Sequence, residues 1–252
     1  METAEHAPPH PSEVNRFPPS GEEDVIQELK QIPLFQRLSD AEIAQLQALA
    51  QRKQLTAGTN VFFQDDPSDS FYVVLSGSAK IYQTSEDGKE RTLKVLHPGE
   101  SFGELAMIEG LSRSASVQTL EAAEILMLTR KDFQAFCDRH PSVLWGLLQY
   151  LAEQLRHMNE DVLDMSFKDV PYRVLRMLSV LVERHGVAGP DGWTISMPLS
   201  VKDMASMLGS NQGVVSRLLD GYENDGLLKR DHNSWTVPDP KALTRALEFA
   251  GQ

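Results

Sequence analysis

The chain is short of several things, and each shortage excludes something. It has one cysteine, Cys137, among 252 residues. A lone thiol excludes an internal disulfide and an iron–sulfur cluster held by several thiolates. No apolar run approaches the ~20 residues of a membrane span. The N-terminus lacks the basic start and apolar centre of a secretion signal. A soluble cytoplasmic protein with no membrane contact is expected. HExxH, GxSxG and P-loop motifs are missing, and the seven histidines are scattered. No catalytic centre and no metal site are therefore expected, so the chain does not read as an enzyme. Cys137, inside "KDFQAFCDRH", reads as a small buried residue. His97, in "LHPGE", stands alone and reads as a surface-loop residue.

Positive charge is also scarce, with 24 Lys+Arg against 36 Asp+Glu and a net charge of −12. The deficit is not uniform. From Lys168 onward there are ten basic and ten acidic residues, so the whole excess lies in residues 1–167. A nucleic-acid surface is expected only in the neutral C-terminal third.

Hydrophobic residues make up 41% of the chain, enough for a real core. Residues 1–21 hold five prolines and no apolar pattern, and read as a disordered tail. In residues 22–54, "DVIQELKQIPLF" and "LSDAEIAQLQALAQ" read as short helices, the second capped by Ser39. From about residue 55 to 129, short apolar runs alternate with the turn signals "DDPSD", "EDG", "HPG" and "IEG". Short strands at such intervals make a sandwich, barrel or jelly roll, with Gly77, Gly88, Gly99, Gly103 and Gly110 at its corners. The first domain is set at residues 22–140.

The period changes near Pro141. Leu144, Leu148, Leu151, Leu155, Met158, Val162 and Met165 are spaced 4, 3, 4, 3, 4, 3. Such a seam suits a partner helix better than a globular contact, so residues 141–168 are expected to be a helix that joins two copies of the chain. It should end near Phe167, because "KDVP" offers Asp169 as a new cap with Pro171 in the next first turn.

Residues 169–252 form the last unit. Counted from Val201 as position 1, Met204 is at 4, Ala205 at 5, Leu208 at 8, Gly209 at 9, Val215 at 15 and Leu218 at 18. Two short helices crossing steeply need a small residue at 5 and glycine at 9, where the turn favours positive φ. Ser200 with Asp203 can box the first helix, and Ser210 or Asn211 can cap the second. "LLKRDHNSWTV" reads as a hairpin around "DHNS", which completes a winged helix-turn-helix. If the second helix enters the major groove, Asn211, Gln212, Ser216 and Arg217 reach bases, with Ser210 and Gly213 beside them and Lys202 within reach of phosphate. Two copies joined through the long helix would sit about 34 Å apart on a palindromic double-stranded site.

The stretch "PGESFGELAMIEGLSRSASV", with "FKDV" and "MASMLGSNQGVVSRLL", resembles the catabolite-activator/FNR family of bacterial transcription regulators. The resemblance covers nearly everything after residue 30. It implies an α+β protein with a cyclic-nucleotide-binding-type jelly roll, a long dimerisation helix and a C-terminal winged helix-turn-helix. It also implies RNA polymerase as a partner. The quoted stretch would be the phosphate-binding cassette, with Gly103, Glu104, Leu105, Arg113 and Ser114 as effector residues. The chemistry of these side chains fits, since Arg113 can pair with a phosphate and Glu104 can accept from a ribose hydroxyl. The bland alternative is that Glu104 and Arg113 pair with each other. Met158 and Asn159 align with the Thr-Ser pair that reads adenine in cAMP-responsive members, so cAMP, cGMP and a cyclic dinucleotide all stand as candidate effectors. Gln212 and Gly213 replace the family's Arg-Glu pair, while Arg217 retains its second Arg. Neither haem nor an iron–sulfur cluster is expected. Two rivals remain: the same regulator working without an effector, and a regulatory subunit that binds no DNA.

Overall fold

The computed structural model describes residues 29–30, 32, 35–196, 199–231 and 234–250. The expected tail and most of "DVIQELKQIPLF" lie outside these residues. Among the described residues the first complete helix, α1 (Asp40–Leu49), starts after Ser39, whose side chain accepts from Glu42 N while the Glu42 carboxylate accepts from Ser39 N, a complete capping box.

The N-terminal unit is built from eight strands: β1 (Gln51–Leu55), β2 (Asn60–Phe62), β3 (Ser70–Ser76), β4 (Ala79–Thr84), β5 (Glu90–Leu96), β6 (Ser101–Phe102), β7 (Ser116–Thr119) and β8 (Ala123–Thr129). They form two four-stranded antiparallel sheets, ordered β1-β8-β3-β6 and β2-β7-β4-β5. The β region begins at Gln51, not near residue 55. Gln51 closes the stretch read as a helix, but "QRKQL" is a polar edge strand on β8, where backbone pairing rather than an apolar pattern fixes it.

The unbroken run "FYVV" in β3 has a simple cause. Tyr72 and Val74 face the space between the sheets with Ala79, Leu96, Phe102, Val117 and Ile125. Phe71 and Val73 face the other way, into a second core with Ile43, Leu46, Phe133, Phe136 and Val143. A strand covered on both faces has no polar positions to alternate with. Gly77 turns the chain from β3 to β4 at φ 74°, and a Cβ there would meet Ala122 O at 2.3 Å.

Two further helices, α2 (Glu104–Glu109) and α3 (Arg130–Arg139), lead to α4 (Ser142–Phe167), about 39 Å long at 1.5 Å per residue. Val143, Leu147 and Tyr150 bury one face of α4 on the roll, where the Tyr150 hydroxyl donates to Ser101 O at 3.2 Å. Asp169 then caps α5 (Val170–His185), with proline in its first turn.

The C-terminal unit adds β9 (Val187–Gly189), β10 (Gly192–Ser196), α6 (Val201–Met207), α7 (Gln212–Asn224), β11 (Lys229–Arg230), β12 (Ser234–Val237) and α8 (Pro240–Ala250). Its sheet runs β11-β12-β10-β9. His232 and Asn233 of the expected wing turn lie outside the described residues. The core comprises Val174, Leu178, Ile195, Met204, Ala205, Val215, Leu219, Trp235, Val237 and Leu243. Val95 of the roll also enters it, so the two units are in direct contact.

Candidate effector and DNA-binding sites

The cassette starts where β6 ends. Gly103 caps α2 with φ 80°, a conformation that favours glycine, and a Cβ there would lie 2.5 Å from Arg113 Nη1 and push on the guanidinium. Arg113 is only 3% exposed. Its Nη1 donates to Gly103 O at 2.9 Å and its Nη2 to Ser70 O at 2.7 Å. Its Nε is buried without a partner. Phe62 lies 4.0 Å and Tyr72 5.5 Å from the guanidinium carbon. Burial pulls the guanidinium pKa down, opposed by Tyr72, Asp69 and Asp66.

Glu104 is the second charge. Its Oε2 is buried with no hydrogen-bond partner. Burial pushes its carboxyl pKa up, against smaller opposing effects of its own backbone, Lys94 and Arg113. Arg113 is engaged with carbonyls rather than with Glu104, so the mutual pair that the sequence left open is not formed. Arg113 is thus buried and one oxygen of the half-buried Glu104 is sealed, leaving Arg113 Nε and Glu104 Oε2 without partners, a costly arrangement that a ligand could relieve.

The other expected effector residues are less enclosed. Ser114 and Leu105 are exposed, and the Ser114 carbonyl accepts from Gln83 at 3.0 Å. Met158 and Asn159 are exposed on α4, about one turn beyond Gln154, which bonds Lys94 of β5 at 3.2 Å. Tyr150 escaped the sequence reading; it reaches Ser101 beside the cassette and is near enough to Glu104 to feel its charge.

Along α4, Leu144, Leu148, Leu155, Met158, Val162 and Met165 are all exposed in the single chain. Leu151 differs, being partly buried against the roll core. Trp145, Leu163 and Phe167 are exposed as well, so the apolar stripe is wider than the strict seam.

The helix-turn-helix is formed by α6 and α7. Ser200 Oγ accepts from Asp203 N at 3.1 Å, and Asn211 Oδ1 accepts from Val214 N at 3.0 Å, so each helix has a side-chain cap. Ala205 is buried between the helices, and Gly209 makes the turn at φ 60°. Asn211, Gln212, Gly213 and Arg217 are exposed on α7, Ser210 and Ser216 are half-buried, and Lys202 is exposed on α6. Arg217 Nε donates to Gly213 O at 3.1 Å, which leaves its Nη groups outward. Arg230 of β11 was not singled out by sequence. It binds Asp220 at 2.6 Å and Glu223 at 2.7 Å, and so offsets one of two negative charges on the helix expected to meet DNA.

Besides Val95, two further contacts join the units. The Thr92 hydroxyl of β5 donates to Asp203 Oδ1 at 2.6 Å, and Thr92 N donates to Ser206 Oγ at 3.1 Å. Lys80 Nζ lies 3.7 Å from the same Asp203 oxygen. Asp203 therefore serves the roll as well as its own helix start. At the other contact, His97 is not the surface residue expected. It is 7% exposed and its ring stacks on His185 at 4.0 Å, because the end of α5 covers the loop. Burial first, and His185 second, lower its pKa to about 4, with Glu100 opposing. A groove of about 400 Å³ at this junction is lined by Gly77, His97, Pro98, Glu121, Arg184 and His185.

Residues 52–140 match the cyclic nucleotide-binding domain, and residues 172–246 match the Crp-like helix-turn-helix domain. The chain thus joins a nucleotide-binding type of roll to a DNA-binding type of module. A Cyclic AMP receptor protein of Thermus thermophilus is 32% identical over 201 residues, spanning 80% of this chain and 90% of that protein. A CRP-like cAMP-activated global transcriptional regulator of Mycobacterium tuberculosis is 27% identical over 84% of this chain and 95% of its own length. The structure of FixK2 from Bradyrhizobium japonicum superposes with a TM-score of 0.70 at 22% identity, covering 78% of this chain and 96% of that one. The chain belongs to the CRP/FNR family of transcription regulators. No helix among the described residues is long and apolar enough to cross a membrane.

Proposed function

We propose that the protein is a homodimeric, sequence-specific DNA-binding regulator, not a catalyst, whose roll takes a small anionic effector, a cyclic nucleotide or a close relative. It works in the cytoplasm on palindromic promoter DNA, with RNA polymerase as its protein partner. The observation that carries the effector is the two buried polar atoms without partners in the cassette, Arg113 Nε and Glu104 Oε2. A phosphate supplies Arg113 with charge-assisted bonds, and a ribose hydroxyl supplies Glu104 with a donor. The relatives of Thermus thermophilus and Mycobacterium tuberculosis, named for cAMP, support the same class of ligand. Dimerisation through α4 would cover the exposed apolar stripe and bring Met158 and Asn159 beside the partner. Effector binding would then bias the two units through the Thr92–Asp203 and His97–His185 contacts, a shift between two states.

Calorimetry with cAMP, cGMP and a cyclic dinucleotide, on wild type and Arg113→Ala, tests this. Binding should weaken by about 1.5–3 kcal/mol in the variant. Met158 and Asn159 offer no adenine-specific pattern, so cAMP should not be strongly preferred. A second reading rests on the bonds from Arg113 to Gly103 O and Ser70 O, which tie the cassette to β3 without any ligand. Absence of binding by all three nucleotides would favour that effector-free regulator.

A further inference from the structure

Phe62, half-buried, packs its ring on the buried guanidinium of Arg113. It is the last residue of β2, an edge strand of three residues that pairs only with β7. The pairing register shifts between Asn60 and Phe62. Such irregularities at sheet edges re-aim a side chain. Here the ring comes to lie 4.0 Å from the Arg113 guanidinium carbon, with Tyr72 at 5.6 Å and Phe102 at 6.0 Å behind it. Phe62 is half-buried, while Arg113 beneath it is almost wholly buried. The following loop is tied to the backbone of the same arginine: Asp65 N donates to Arg113 O at 2.8 Å and Arg113 N to Asp66 O at 2.9 Å. Among the described residues, Asp65 is the one non-glycine at positive φ, 69°. That conformation is sparsely populated for side-chain-bearing residues.

We propose that Phe62 is a gate on the effector site, a ring that a ligand's phosphate has to displace before it can reach Arg113. This rests on the reading of the cassette as an effector site. The two Nη groups are already bonded to carbonyls, and the unpartnered Nε is buried. An anion therefore competes with both the carbonyls and the ring for the guanidinium. A cation held against an aromatic face is stabilised by the ring quadrupole, and that stabilisation is lost when the ring swings out. A short edge strand with a broken register is the part of the roll that can yield. The gate raises the ligand concentration needed for occupancy, and so sets the threshold of the response.

The test is calorimetry with cAMP and cGMP on wild type, Phe62→Tyr, Phe62→Leu and Phe62→Leu/Arg113→Ala, each first checked for cooperative thermal unfolding. Phe62→Tyr keeps a ring and should match wild type. Phe62→Leu keeps apolar bulk but no π face, and should bind about tenfold tighter, which corresponds to about 1.4 kcal/mol. The gain should vanish when Arg113 is also removed. Equal affinities for wild type and Phe62→Leu would overturn the gate while leaving the effector site standing. Weaker binding by Phe62→Leu would make the ring a stacking platform instead of a gate. No binding by any folded variant would overturn both the gate and the effector site.

Discussion

Removing the Thr92 hydroxyl tests how the roll holds the DNA-binding unit. Thr92 is 2% exposed, and its hydroxyl reaches Asp203 Oδ1 at 2.6 Å across 111 residues of sequence. Valine has nearly the same shape and keeps the backbone bond to Ser206, so Thr92→Val deletes one charge-assisted hydrogen bond. Such bonds contribute about 1.5–3 kcal/mol. The lower half of that range applies here, because Asp203 keeps Lys80 nearby and Ser200 on its other oxygen. Burial raises the Asp203 pKa, but the bonds from Ser200, Thr92 and Lys80 outweigh it and leave the carboxyl below its ordinary value. Asp203→Ala keeps the helix cap, since Ser200 Oγ accepts from the backbone of residue 203. A double-mutant cycle should give a coupling of about 1.5 kcal/mol. Denaturation followed by the emission of Trp235, buried in the C-terminal core, reads it. Additive effects, within about 0.3 kcal/mol, would show that the contact does not hold the units together.

Leu155 is exposed on the apolar stripe and is the cleaner site for breaking the dimer, since Leu151 also packs on the roll. Leu155→Lys sets two like charges face to face and should give monomers in sedimentation; an unchanged dimer would show that α4 is not the interface. His97 should make the domain junction acid-sensitive. Its folded pKa of about 4 lies below the ordinary 6.5, so the unfolded chain binds the extra proton between these values. Its stabilisation is full above about pH 6.5 and is lost as pH falls towards 4, by at most about 3 kcal/mol. Urea midpoints for wild type and His97→Gln across that window should fall more steeply for wild type, and parallel slopes would contradict the buried histidine.

Much of the architecture was legible because its signals are local. Ser39, Ser200 and Asn211 are caps, Gly209 is a turn, and Asp169 restarts a helix, each readable within a few residues. The cassette was legible as Gly103, Glu104 and Arg113, but not the direction in which Arg113 points. Its bonds to Ser70 and its cover by Phe62 join segments about forty to fifty residues apart, where no periodicity connects them. The same is true of His97. A histidine in a loop looks exposed until the end of α5 is laid over it. The polar strand β1 carries no apolar pattern, and its pairing with β8 alone identifies it. The final helix α8 was also missed, although Leu243 is buried and Ala246 and Leu247 pack behind it.

Binding-site selection from random duplex DNA tests the central claim most directly. Two copies of α7, joined through α4, should enrich a palindrome with half-sites about one helical turn apart. Arg217, with its outward Nη groups, should specify one base pair in each half. Arg217→Ala should lose about 1–3 kcal/mol per half-site and relax that position alone, whereas Lys202→Ala should weaken all sequences alike. Enrichment of no sequence, or equal loss on selected and random DNA for Arg217→Ala, would contradict a regulator that reads DNA through this helix.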